Sequence, residues 1–369
     1  MVIFGTRPEA IKLCPLVSQL RSHPACAHFE TKVCVTAQHR RMLDQVLSAF
    51  GVTPDYDLDL MQPGQSLTAL SARLLSGLEV ILAEAQPSLV IVQGDTTTTL
   101  CGALAAFYAR VPVAHVEAGL RTFDLQAPFP EEMNRVVTGR LAALHFAATG
   151  WAAENLCKEG VPADTIQVTG NTGIDAVLAI RDAMEQGRVS GLALNLDPAK
   201  KLIVVTAHRR ESFGEGFIRI CEAVAELALR ADVQIVWPVH PNPNVQSAVA
   251  AALRGKANVT LIEPLDYLPF VDLMRRAYLL ITDSGGVQEE GPSLGKPILV
   301  LRDKTERPEA VDAGTVKLVG TDRAAIVREA VRLLEDRGEY DRMARLHNPY
   351  GDGRASARIA ERIAQYLAD

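Results

Sequence analysis

Short β-branched apolar runs alternate with longer amphipathic stretches along the whole chain, and this alternation limits the fold more than any other feature. VIF, KVCVTA, LVIVQG, VPVAHV and LHFAA come first; LIVVTA, VQIVWPV, VTLI, LLIT and PILVL follow after a gap. Such runs, separated by helical stretches, fold as strand-helix crossover units that build parallel sheets. Several are apolar without a strict period of two, as suits strands covered by helices on both faces. The expected fold class is therefore α/β. At 369 residues the chain is long for one domain, so two are expected.

The series pauses between about Thr172 and Lys200, where a helical stretch leads into a Gly- and Pro-marked connector before LIVVTA starts a new strand. Domains at 1–172 and 173–352 are expected, with 353–369 a separate amphipathic helix containing SARIAERIAQYLA. No short repeat or low-complexity tail interrupts this plan.

Charge and composition narrow the partners. Thirty-eight basic against 44 acidic side chains leave a net charge of −6, which removes the bulk attraction that duplex nucleic acid or an anionic membrane rewards. No nucleic-acid or membrane partner is expected. Gly5, Arg7, Pro8 and Glu9 break the stretch that an export signal needs. Asp95 and Arg110 cut the longest apolar region well short of a membrane span. The six cysteines, at 14, 26, 34, 101, 157 and 221, form no C-x-x-C pair, so they read as reduced thiols in a cytoplasmic protein without structural zinc.

In an open parallel sheet, ligands sit outside the carboxyl ends of the strands, so the residues after each run are the informative ones. After VIF come Gly5-Thr6-Arg7-Pro8-Glu9-Ala10-Ile11-Lys12, a tight turn and a helix start with two cations, which suits an anion. Arg7 and Lys12 as plain surface charges are the alternative. Asp95 follows LVIVQG, and Glu117 follows VPVAHV, so two successive strands deliver a carboxylate to one edge, as an acid/base pair requires. Asp95 as a helix cap, or Glu117 paired with Arg121, would be structural readings of the same residues. Glu131, in PFPEEMNR, is a third candidate, although the first turn of a helix favours acids for dipolar reasons alone.

The second half carries its own set. His208-Arg209-Arg210 after LIVVTA reads as a pyrophosphate contact. Asp283-Ser284-Gly285-Gly286 after LLIT lets a phosphate approach a helix start, with Glu290 one turn on for ribose hydroxyls. Arg307 supplies a further cation after the next strand. Neither G-x-x-x-x-G-K-[ST] nor a G-x-G-x-x-G after the first strand is present, so a P-loop nucleotidase and an ordinary dinucleotide enzyme lose support. A nucleotide lodged between two domains fits better.

GTRPEAIK, VTAQHRRMLDQVL, GDTTTT, HVEAGLRT, PFPEEMNR, TAHRRESFG, DSGGVQEE, TERPEA and HNPYGDG together resemble the non-hydrolysing UDP-N-acetylglucosamine 2-epimerases, nearly end to end. The resemblance implies a GT-B-like fold: two Rossmann-like domains facing across a cleft, the C-terminal helix returning to the first. It also implies a homodimer. Pro8-Glu9-Ala10 favours the plain N-acetylglucosamine nucleotide over hydrolysing or uronic-acid relatives. Carried over by motif, Asp95, Glu117 and Glu131 are the catalytic acids, with His208 assisting. Arg7, Lys12, His208, Phe270, Ser284, Gly285, Gly286, Glu290 and Arg307 form the UDP site. Gln38, Gln65, Arg209, Glu211 and His240 fall in segments that hold a second UDP-sugar as allosteric activator. Two departures stand out: the first strand starts a few residues late, and Leu265 replaces a Gln of enterobacterial members.

The chemistry then expected is reversible C2 epimerisation of UDP-N-acetylglucosamine to UDP-N-acetylmannosamine, a precursor for bacterial surface polysaccharide. The C2 proton is not next to a carbonyl, so loss of UDP must accompany its removal, through 2-acetamidoglucal. No cofactor or metal is required. A GT-B-type glycosyltransferase using a UDP-sugar is the first rival and a catalytically silent nucleotide-sugar sensor the second, since fold alone separates none of the three.

Overall fold

The computed structural model describes residues 1–36, 40–60, 62, 64–208, 214–305 and 307–368. Contacts divide the chain into two units, Met1–Ala176 with Tyr350–Asp369, and Val177–Pro349. The division falls inside the Thr172–Glu185 helix.

The first unit holds seven parallel strands: β1 (Val2–Phe4), β2 (Val33–Val35), β3 (Tyr56–Asp57), β4 (Val90–Gln93), β5 (Val113–Ala118), β6 (Leu144–Ala147) and β7 (Ile166–Val168). Their order is β3-β2-β1-β4-β5-β6-β7, with Val2 opposite both Val33 and Ile91. Every residue of β1, β2, β4 and β6 is buried, which is why those runs lack polar alternation. The Thr97–Tyr108 helix lies close on this sheet because Gly102 faces it; a Cβ there would come within 3.1 Å of Val92.

The second unit holds β8 (Lys201–Thr206), β9 (Val233–Pro238), β10 (Val259–Ile262), β11 (Leu279–Thr282), β12 (Ile298–Val300) and β13 (Val316–Leu318), all parallel, in the order β10-β9-β8-β11-β12-β13. Its core centres on Trp237, fully buried against Phe217 at a ring separation of 6.0 Å. In both sheets the order reverses once, between β1 and β4 and between β8 and β11. Ligands of such sheets bind at that reversal.

Strands β3, β7 and β13 escape the sequence reading. Each has two or three residues at a sheet edge with mixed exposure, so neither an apolar run nor an alternation can develop. The C-terminal Ala355–Ala368 helix packs on the Arg7–Ser22 helix. Asp175 fastens its start, accepting from the N–H groups of Ala355 at 3.2 Å and Ser356 at 2.7 Å. Among the described residues no helix is long and apolar enough to cross a membrane.

Two buried histidines face each other across the sheet, His115 in β5 and His145 in β6. His115 Nε2 lies 2.7 Å from the Gly94 carbonyl, an acceptor, so Nε2 carries the proton. Burial drives the His115 pKa down to about 3 from the usual 6.5, and lowers that of His145 for the same reason. Above pH 6.5 both folded and unfolded chains leave this ring neutral, and its packing contributes fully. Below that pH the unfolded chain takes a proton that the folded one refuses until about pH 3, so stability falls. Between pH 7 and 5 the His115 share of the loss is about 2 kcal/mol, at roughly 1.4 kcal/mol per pH unit. Urea unfolding at the two pH values checks this: His115→Gln, which still offers a donor to Gly94, is expected to flatten the acid slope by that amount.

Candidate active site

The chain leaves β1 through Gly5 and enters the Arg7–Ser22 helix with Thr6 as its cap. Thr6 Oγ1 accepts from the Glu9 N–H at 3.5 Å, and Glu9 reaches back to the N–H groups of Thr6 (2.8 Å) and Gly5 (3.2 Å), a capping box. Its other oxygen accepts the hydroxyls of Thr96 (2.8 Å) and Thr99 (3.3 Å). Glu9, only 1% exposed, thereby joins the turn after β1 to the turn after β4, on either side of the order reversal.

Asp95 stands in that second turn, but Thr96 caps the Thr97–Tyr108 helix, accepting from the Thr99 N–H at 3.1 Å. The capping role left open for Asp95 thus belongs to its neighbour. Asp95 instead meets the Arg135 guanidinium at 3.2 Å, and its backbone carbonyl accepts from Asn134 at 2.8 Å. Burial raises the Asp95 pKa to about 6, with Glu117 and Glu131 pushing the same way and Arg135 and Lys12 opposing. A carboxyl with that value can give or take a proton near neutrality.

Glu117 stands one residue before the end of β5, at a bulge where pairing with β6 shifts between Val116 and Ala118. Its φ of +61° is unusual for a residue with a side chain and stores strain at this one position. Two residues on, Gly119 also has positive φ, and a Cβ there would meet the Ala152 carbonyl at 2.1 Å. So aimed, Glu117 receives the Lys12 ammonium at 2.7 and 2.5 Å and the Gln93 amide at 2.7 Å. The alternative pairing with Arg121 does not form; Arg121 is held bidentate by Glu159 at 2.6 and 2.9 Å. Glu131 opens the Glu131–Leu141 helix, half-buried, after Pro130. Lys12, Asp95, Glu117 and Glu131 thus gather at one sheet edge, with Arg7 half-buried at the first position of its helix.

In the second unit His208 follows β8 and Asp283 follows β11, again beside the order reversal. The buried Asp283 carboxylate accepts the His208 N–H at 2.7 Å and meets its Nδ1 at 3.1 Å, which leaves Nε2 facing away from the pair. His240 stacks on His208, rings 6.0 Å apart and nearly parallel. Ser284 stands at the cap of the Gly285–Glu290 helix, yet its side chain makes no capping bond. The Arg307 guanidinium lies directly on this helix start, because a Cβ on Gly285 would come within 2.6 Å of its Cζ. Glu289 holds Arg307 Nε at 2.7 Å. Gly286 is exposed beside them, and Glu290 accepts the Tyr267 hydroxyl at 3.2 Å. Phe270 lies one turn from Tyr267 on the same helix.

Of the five positions assigned to an activator, Gln38, Arg209 and Glu211 lie outside the described residues. Gln65 pairs with Arg73, and His240 joins the His208 group. Sequence reasoning passed over Gln93, Glu132, Arg135, Tyr267, Asp283 and Glu289. Asp283 was open to the strand-end rule that found Asp95. Arg135 sits four residues after Glu131, on the same helix face, so PEEMNR also carried its signal.

The arrangement offers acids able to exchange protons in one unit, and in the other an anion site of oriented imidazole, guanidinium and open helix start. A family model described as UDP-N-acetylglucosamine 2-epimerase matches residues 21–364. The UDP-N-acetylglucosamine 2-epimerase of Escherichia coli (strain K12) is 59% identical over 98% of this chain and 97% of its own length. That of Salmonella typhimurium is 57% identical over 99% of this chain and 98% of its own. Among solved structures, the UDP-GlcNAc 2-epimerase from Neisseria meningitidis bound to UDP-GlcNAc superposes with a TM-score of 0.87 at 47% identity, over 99% of both chains. Sequence, fold and the two clusters of side chains agree: the chain belongs to the UDP-N-acetylglucosamine 2-epimerase family.

Proposed function

We propose that this protein interconverts UDP-N-acetylglucosamine and UDP-N-acetylmannosamine by removing and re-adding UDP through 2-acetamidoglucal. The observation that carries the reading is the gathering of Asp95, Glu117 and Glu131 at one edge, with the Asp95 pKa raised to about 6. UDP rests on the second unit. His208 Nε2, Ser284, the Gly285–Gly286 helix start and Arg307 receive the diphosphate, and Phe270 and Glu290 belong to the same site. Arg307 lying on the positive end of a helix places two like charges together, an arrangement that a bound anion stabilises.

In the forward direction a carboxylate takes the C2 proton, the C1–O bond breaks, and its electron pair leaves with the β-phosphate. Cations and backbone N–H groups stabilise that charge. A carboxyl group then returns a proton to the opposite face of C2, and UDP re-adds at C1. Work on two faces needs more than one proton-transfer group, which three acids provide. Lys12, bonded to Glu117, orients that carboxylate in the absence of substrate. The route needs no hydride acceptor.

Incubation of the pure protein with UDP-N-acetylglucosamine alone tests the reading. Appearance of UDP-N-acetylmannosamine without an acceptor supports it; binding without turnover would indicate a sensor, and turnover only with an acceptor a glycosyltransferase. Gly285→Ala displaces the far end of the Arg307 side chain rather than backbone, so the fold is expected to survive while UDP affinity falls about tenfold, close to 1.4 kcal/mol by titration calorimetry.

Three further readings come with the family likeness. The protein works as a homodimer in the cytoplasm, and the exposed Phe107 and Tyr108 form an apolar surface that such an association would cover. A second UDP-sugar acts as activator, and the stacking of His240 on His208 supports a link between the two sites. The product feeds surface polysaccharide.

A further inference from the structure

Glu132 follows the candidate acid Glu131 yet points elsewhere: it is fully buried, with its two oxygens divided between two tasks. Oε1 accepts the backbone N–H groups of Thr122 at 3.0 Å and Phe123 at 2.9 Å, fixing an exposed loop that also carries Leu125 and Phe129. Oε2 takes Arg135 through both Nε and Nη2 at 2.6 Å. Arg135, only 5% exposed, has its remaining terminal nitrogen on Asp95 at the longer distance of 3.2 Å. One buried guanidinium therefore serves two carboxylates unequally, with the shorter contacts going to Glu132.

We propose that Glu132 is a positioning residue for Asp95: it claims most of the charge of Arg135, keeps that guanidinium from pairing fully with Asp95, and ties the balance to the loop at Thr122 and Phe123. A bidentate fork committed to a buried carboxylate is weakly available to a third group. Without Glu132, Arg135 would turn both terminal nitrogens to Asp95 and hold it ionised. The other charges facing Asp95 are Glu131 on the same helix, Glu117 at the end of β5 and Lys12 on the Arg7–Ser22 helix; Lys12 is itself bonded to Glu117. Among the described residues Arg135 is thus the cation that touches Asp95 directly, and Glu132 is what restrains it. The raised value of Asp95 agrees with this balance. The catalytic consequence rests on the reading of Asp95 as a proton-transfer group; the electrostatic claim does not.

The test is the titration of Asp95 in ligand-free protein by carboxyl-carbon NMR, with Asp95→Asn identifying the resonance. In Glu132→Gln, Asp95 is expected to titrate about one pH unit or more below the parent value. An unmoved or raised midpoint overturns the proposal. Because Glu132 is buried, Arg135→Lys provides a second arm that keeps the charge balance. A single ammonium cannot bridge both carboxylates; Glu132 retains it, and Asp95 is expected to titrate higher, so a fall or no change overturns the proposal as well. The pH profile of kcat separates the two levels. An acid limb that moves with the NMR midpoint in Glu132→Gln supports both. A midpoint that moves while the limb stays supports the role of Glu132 and contradicts the role of Asp95.

Discussion

Asp95→Asn is expected to lower kcat for epimerisation at least about 100-fold, the usual scale of a lost acid/base group, while UDP affinity stays unchanged. Asparagine nearly matches aspartate in shape, and the backbone carbonyl that accepts from Asn134 is untouched. What disappears is a group that exchanges a proton near pH 6. Under the proposed function the diphosphate is received by His208, Ser284 and Arg307 rather than by Asp95, so calorimetry with UDP alone is expected to give the parent value. Glu131→Gln is expected to behave in the same way. Near-parent turnover in both variants would remove these acids from the chemistry, whereas weakened UDP binding in either would assign them to the nucleotide site.

The second large effect is on stability. Glu9→Leu strips partners from the N–H groups of Gly5 and Thr6 and from the hydroxyl of Thr96, all around one buried point. At about 1–3 kcal/mol for each buried donor left unmade, the two backbone groups alone put the loss at roughly 2–6 kcal/mol. Glu9→Gln is expected to lose under about 1 kcal/mol, because an amide oxygen still accepts and the two threonine hydroxyls can reverse to accept from its NH2. The sign of the charge effect agrees: burial raises the Glu9 pKa, so ionisation costs stability as pH rises through that raised value, and a neutral amide avoids the cost. Urea unfolding at neutral pH checks the pair. A leucine variant as stable as the parent would show that the capping box does not tie β1 to β4.

The architecture was legible because long-range order wrote itself locally. VIF, LVIVQG and LLIT are buried on both faces, and their composition says so. Tyr56–Asp57 and Val316–Leu318 were not legible, since two or three edge residues of mixed exposure carry no pattern. Asp95 and Glu117 stood out as strand-end carboxylates. The bulge that aims Glu117 did not, because a positive φ at a residue with a side chain leaves no mark in the residue types around it. Partnerships are the least legible layer. That Lys12 would lie on Glu117, or that Glu132 rather than Asp95 would claim Arg135, depends on residues 105 and 3 positions apart meeting at one point. A turn signal such as Asp283-Ser284-Gly285-Gly286 announces a helix start, yet the need for glycine at 285 follows from Arg307, which arrives from another loop.

Removal and return of a proton at C2 leaves a mark that hydride transfer at C2 does not. Run in deuterium oxide with UDP-N-acetylglucosamine alone, the reaction is expected to place one deuterium at C2 of the UDP-N-acetylmannosamine formed. UDP-N-acetylmannosamine retaining its original hydrogen at C2 would contradict proton transfer by the Asp95, Glu117 and Glu131 edge and point to hydride removal and return.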